Sequence, residues 1–200
     1  MDKQKKMHKV DEIRQVVARL FSEKGYHATS MREIGRALGM NQSSLYHYFK
    51  GKEEILYDLM NDTMDQGLAI LKKICNADLS PEEKLSKVLS YYIRYYAGDP
   101  DRLTILANEM HALSENYRLV LTKKQRAYVH LIMSILNELS AQNKMKKIHP
   151  TIATFAFFGM VVHTIKWYHK GGMIGLEELT ESFLEIFTQG VVADHLVAQE

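Results

Sequence analysis

Apolar residues recur at spacings of three and four along nearly the whole chain, the signature of amphipathic helices. Val10, Ile13, Val16, Val17, Leu20 and Phe21 form one such stripe, which stops near Gly25. In the following "TSMREIGRALG", Ser30 and Glu33 have capping-box spacing, which predicts a short helix carrying Ile34 and Leu38 and ending at Gly39. Asn41 is placed to cap a third helix through Phe49. A longer fourth helix follows in "GKEEILYDLMNDTMDQGLAILKKI", with Glu53 and Glu54 at the positive end of its dipole. Ser80 and Pro81 open a fifth at "SPEEKLSKVLSYYIRYY". Helices are also expected in "DPDRLTILANEMHAL", "ENYRLVLTKKQRAYVHLIMSILNELS", "HPTIATFAFFGMVVHTIKWYHKGG" and "LEELTESFLEIFTQGVV". A period of two appears only weakly, around residues 91–96. The pattern predicts an all-α fold of about nine helices. Its domains would be a three-helix unit over residues 1–52 and a larger helical body over 53–200.

Composition narrows the class. Only three prolines and 11 glycines in 200 residues leave little room for linkers or a turn-rich β-sandwich. The single cysteine, Cys75, permits no internal disulfide, and the N-terminal stretch lacks the apolar centre of a signal peptide. Both point to the cytoplasm. The most apolar stretch, residues 152–168, is just short of a membrane span and carries His163 and Lys166, so it reads as a buried helix.

Charge divides the chain further. Residues 1–52 hold 11 Lys/Arg against 5 Asp/Glu, whereas the remainder holds 15 against 19. A basic head on an acidic body suggests that the head meets a polyanion. At about 100° per residue, the third helix turns Leu45 and Phe49 inward and Ser43 and His47 outward, with Ser44 and Tyr46 on the shoulders and Gln42 in the first turn. Such a helix suits the major groove, which admits one helix and displays base edges that Gln, Ser and His read. Tyr46, Tyr48 and Lys52 would reach phosphates, as would Ser30 and Arg32 on the helix crossing the backbone. Two short helices joined by "GMN" form a helix-turn-helix.

The run "LFSEKGYHATSMREIGRALGMNQSSLYHYFKGKEEIL" closely resembles the N-terminal signature of TetR-family transcriptional regulators. That resemblance implies a homodimer whose two copies of the third helix enter successive major grooves of a pseudo-palindromic operator. It assigns Ser30, Tyr46, Tyr48 and Lys52 to phosphate-contacting places and Gln42, Ser43, Ser44 and His47 to base-facing ones. It also implies that the body binds a ligand and forms the dimer.

In that body, aromatic and methionine residues suit a large apolar ligand, although such stripes also form ordinary cores. Tyr92, Tyr95, Met110, Phe157, Met160, His163 and Trp167 are the candidate ligand residues. Met160, His163 and Trp167 recur at three and four and so would share one stripe. Gly159, costing about 1 kcal/mol relative to alanine in mid-helix, reads as room for a neighbour or ligand. A second resemblance, carried by "KWYHKGG", "LEEL" and the apolar last helix, is to the subgroup controlling fatty-acid and sterol degradation. It implies an acyl-CoA thioester as effector; a drug, flavonoid or quorum signal is the alternative. Leu179, Phe183, Ile186, Phe187 and Val191 form a last-helix stripe that would pair with a second copy in a four-helix bundle.

An enzyme fits poorly. No glutamate has a histidine three residues later, as a di-iron bundle requires, and His163 and His169 face opposite sides of a helix. Cys75 has no catalytic context, and no glycine-rich phosphate loop is present. The expectation is therefore a DNA-binding regulator with no catalytic residues, metal or cofactor.

Overall fold

The computed structural model describes residues 3–192, and their order is helical from end to end. The α-helices are α1 (Lys3–Lys24), α2 (Met31–Ala37), α3 (Gln42–Tyr46), α4 (Lys52–Cys75), α5 (Pro81–Ala97), α6 (Pro100–Asn108), α7 (Glu115–Ala141), α8 (Pro150–His163) and α9 (Leu176–Val191). Short 3-10 turns at Met110–Ala112 and Thr164–Lys166 follow α6 and α8. The residues with weak period two, 91–96, lie inside α5. Among the described residues the only β-type pairing is an isolated bridge between Met145 and Val192.

The caps explain why these segments start where they do. Ser30 accepts a hydrogen bond from the Glu33 amide at 3.2 Å, while the Ser30 amide donates to the Glu33 carboxylate at 2.9 Å. Ser80 and Glu83 repeat this reciprocal arrangement at the start of α5, with Pro81 in the first turn. Each box satisfies helix N–H groups that have no partner within the helix.

Two helices are shorter than their periodicity suggests. Helix α3 ends at Tyr46 because His47 and Tyr48 donate to the carbonyls of Ser44 and Leu45, a tightening of the last turn. Helix α8 ends at His163, and Trp167 lies past the 3-10 turn with φ −139° and ψ −24°, outside the helical region. The stripe Met160–His163–Trp167 therefore does not exist as one helical face.

Contacts divide the chain into two compact units. The first runs through Met64 and takes in Asp101–Thr122; the second comprises Asp65–Pro100 and the chain from Lys123 onward. Helices α4 and α7 thus contribute to both. In the first unit Ile13, Val17, Phe21, Ile34, Leu45, Ile55, Leu56 and Leu59 are fully or almost fully buried. In the second, α5, α8 and α9 pack around Leu85, Val88, Leu89, Ile93, Phe157, Val161, Leu179 and Phe187.

Candidate nucleic-acid interface and helical body

The first unit is built around the α2–α3 corner. Asn41 caps α3 by accepting from the Ser44 amide at 2.7 Å, and Leu45 and Phe49 are buried beneath it. Burying that side fixes which side faces out. Gln42, Ser43, Tyr46 and His47 are exposed, and Ser44 and Tyr48 are half-buried. The outer face is lightly ordered by its own side chains: Ser43 donates to Asn41 at 2.9 Å, and Gln42 reaches the Tyr46 hydroxyl at 3.5 Å. Ser30 and Arg32 are exposed at the start of α2.

Glycine makes this corner possible. Gly39 takes φ +62°, a left-handed conformation that side chains disfavour. A Cβ on Gly35 would lie 2.9 Å from the Met40 carbonyl oxygen, while the Met40 amide donates to the Gly35 carbonyl at 2.8 Å. The chain leaving α2 doubles back against α2 itself.

Lys52 occupies a more constrained place than its sequence position suggested. Its ammonium donates to the carbonyl of Tyr26 at 2.7 Å and to that of His27 at 3.4 Å, and it sits 4.2 Å from the Tyr26 ring centroid. Burial lowers its pKa, opposed by Glu109 and Glu33. In this arrangement Lys52 ties the turn after α1 to the start of α4.

Sequence reasoning missed the acids and the arginine that hold the same unit together. Arg14 bridges to Asp58 at 2.8 Å and to Asp62 at 3.0 Å, both on α4, and to Asp11 at 2.9 Å. Burial opposes the guanidinium charge, but these carboxylates win and raise its pKa. Glu109 accepts from the Tyr26 amide at 3.3 Å, Glu53 from the Ser114 amide at 2.6 Å, and the Tyr57 and Tyr117 rings stack at 4.0 Å. The local signals were the i,i+3 spacing of Asp11 and Arg14 and the i,i+4 spacing of Asp58 and Asp62; the link between Arg14 and α4 is distant in sequence.

The second unit gathers part of the candidate ligand set. Tyr92 is buried, with its ring centroid 5.4 Å from Phe157, 5.2 Å from Phe158, 4.4 Å from Tyr96 and 5.8 Å from Tyr128. Burial drives the Tyr92 hydroxyl far above its ordinary pKa, so it stays neutral. Tyr95 is half-buried and donates to Gln66 at 3.4 Å. Met110 belongs to the first unit. Met160 is half-buried, and His163 and Lys166 are exposed rather than enclosed in an apolar helix. Trp167 is 41% exposed and lines a separate cavity of about 180 Å³ with Tyr168, His169, Gly172, Met173 and Ile174.

The last-helix stripe is also divided. Leu179, Phe187 and Val191 are buried in the chain's own core, Phe187 against Phe157 at 5.5 Å, so they are not available to a partner. Phe183 is half-buried and Ile186 is 62% exposed. A Cβ on Gly159 would meet nothing within 4 Å, so this glycine relieves no crowding inside the chain. Exposed Ile152, Phe155 and Gly159 share one side of α8 at helical spacing.

A capped helix pair with a polar outward face, set in a basic three-helix head and followed by a helical body, defines a helix-turn-helix DNA-binding regulator. Residues 13–59 match the family model of bacterial regulatory proteins, tetR family, and residues 78–191 match that of the tetracyclin repressor-like C-terminal domain. The chain belongs to the TetR family, and it is a transcriptional regulator rather than an enzyme. The fatty acid metabolism regulator protein of Bacillus subtilis is 24% identical, over 93% of this chain and 97% of its own. The transcriptional repressor KstR2 of Mycolicibacterium smegmatis is 26% identical, over 90% and 89%. Among solved structures, KstR2 of Mycobacterium tuberculosis superposes with a TM-score of 0.87 at 20% identity, covering 93% of this chain and 96% of that one, which establishes the fold alone. AibR, solved in complex with isovaleryl coenzyme A and operator DNA, gives 0.80 at 27% identity, covering 88% and 96%. Among the described residues no helix is long and apolar enough to cross a membrane.

Proposed function

We propose that this regulator is a cytoplasmic repressor that binds a pseudo-palindromic operator as a homodimer and leaves it when the body takes up an acyl-CoA thioester. The head, residues 1–52, reads DNA, and the body, 53–200, binds the effector and dimerises. The observation that carries the DNA half is the division of α3: Leu45 is buried while Gln42, Ser43, Tyr46 and His47 are exposed. Gln42, Ser43, Ser44 and His47 meet base edges; Ser30, Arg32, Tyr46, Tyr48 and Lys52 serve phosphates. Lys52 then acts from its seat on Tyr26, close to the duplex but already hydrogen-bonded. The effector half rests on the relatives: one is a fatty acid metabolism regulator, and another was solved with isovaleryl coenzyme A. The aromatic cluster around Tyr92 offers an apolar wall for such a chain. Exposed Ile152, Phe155 and Ile186 support an isologous interface made by α8 and α9.

Selection from a random duplex pool tests the DNA half. Dyad-symmetric sites with half-sites about 34–36 Å apart are expected. His47→Ala should alter the selected sequence, whereas Lys52→Ala should weaken every site alike and reduce the salt slope by about one. Selection of asymmetric sites, or none, contradicts the reading.

A further inference from the structure

Helices α4, α5 and α7 bring four tyrosine side chains into mutual reach in the second unit. The Tyr91 and Tyr95 rings stack at 5.4 Å with an interplanar angle of 22°. Tyr95 donates to Gln66 on α4, and Tyr96 is hydrogen-bonded to Tyr128 on α7. Gly67, next to Gln66, leaves space for the Tyr128 hydroxyl: a Cβ there would lie 2.1 Å from that oxygen. Tyr91 and Tyr95 are both close enough to act electrostatically on Tyr128, as is Asp65.

Three of these hydroxyls have partners and one has none. The Tyr91 hydroxyl oxygen is closed off from solvent, and among the described residues it has no hydrogen-bond partner. Buried polar groups in folded proteins are almost always hydrogen-bonded, so an exception calls for an explanation. From Tyr95, its stacked partner, a chain of ring contacts runs through Tyr96 and Tyr92 to Phe157 and Phe158. Burial pushes the Tyr91 phenol up to about 12, which keeps its proton in place as a donor.

We infer that Tyr91 is the polar anchor of the effector site, donating its phenolic hydrogen to a neutral carbonyl oxygen of an otherwise apolar ligand. This inference rests on the effector reading above and deepens it. An enclosed neutral donor selects the carbonyl over a carboxylate, because burying an ionised carboxylate costs far more than one hydrogen bond returns. Lys124, which with Asp65 lies near Tyr128, is ion-paired with that carboxylate and offers a ligand carboxylate no unpaired charge. A thioester or ester carbonyl meets the requirement; the free acid of the same chain does not.

The test compares wild type with Tyr91→Phe, using decanoyl-CoA, palmitoyl-CoA, methyl decanoate and decanoate as probes. Removing an unsatisfied buried hydroxyl should raise the melting temperature of the ligand-free protein by about 2–4 °C. The same change should weaken decanoyl-CoA binding about tenfold, the loss of one well-placed hydrogen bond. Wild type should prefer methyl decanoate to decanoate. A fall in melting temperature, as for a hydroxyl held by water or by the fold, overturns the inference. So does equal thioester affinity in the two proteins, or a preference for decanoate. If wild type takes neither thioester, the effector reading itself fails, a result distinct from failure of Tyr91 alone.

Discussion

Gly35 has no side chain, yet it governs how closely the chain leaving α2 returns. Met40 both donates to the Gly35 carbonyl and presents its own carbonyl oxygen where a Cβ would have to sit. The obstructing atom is backbone, so no rotamer change relieves it. Gly35→Ala should therefore destabilise the head by about 1–3 kcal/mol, in the range of overpacked sites, and weaken operator binding more than it lowers the overall melting temperature. Thermal unfolding and DNA titration on the same variant check this. Lys52 shows a different limit of residue-level reasoning. Its type and position beside α3 were legible, but its hold on the Tyr26 and His27 carbonyls depends on a turn some 25 residues earlier in the chain.

Among the elements, local chemistry was legible and packing direction was less so. Ser30, Asn41, Ser80 and Pro81 mark helix starts through bonds confined to one turn, which sequence spacing reveals directly. The outer face of α3 was legible for a related reason: two buried residues, Leu45 and Phe49, leave one way for the short helix to lie. Helix α9 was harder because apolar residues cover more than one of its sides. Leu179, Phe187 and Val191 turn inward and Ile186 outward, a division set by where α5 and α8 lie. The α8 stripe failed because the helix stops at His163, leaving Trp167 out of register. The capping boxes also carry a pH signature. Hydrogen bonds from the Ser30 amide and hydroxyl hold the Glu33 carboxyl below its ordinary pKa, and Ser80 does the same for Glu83. A depressed folded-state pKa contributes stability that is present above the ordinary carboxylate range and lost as pH falls through the folded value. Glu33→Gln keeps a hydrogen-bonding side chain without the titration. Its melting temperature should therefore fall less than that of wild type between about pH 5 and pH 3. Parallel curves would remove the linkage.

For the molecule as a whole, the N-terminal family model ends at residue 59 and the C-terminal one starts at 78, while the first compact unit also takes in Asp101–Thr122. The exposed apolar side chains Ile152, Phe155 and Ile186 are the features of α8 and α9 that a monomer leaves without a role. Ile186→Glu places a charge on that surface without touching the core formed by Leu179 and Phe187. It should shift sedimentation from dimer to monomer and lower operator affinity, while helical content is unchanged; a dimer that persists would place the interface elsewhere. The central claim joins both ends of the molecule: acyl-CoA uptake by the body releases DNA from the head. Fluorescence anisotropy of a labelled selected operator, saturated with protein and titrated with isovaleryl-, decanoyl- and palmitoyl-CoA, measures it directly. The account predicts that at least one thioester releases the operator at a concentration where free coenzyme A and the matching fatty acid do not. An operator complex that holds against every thioester, while the protein remains folded and dimeric, would contradict it.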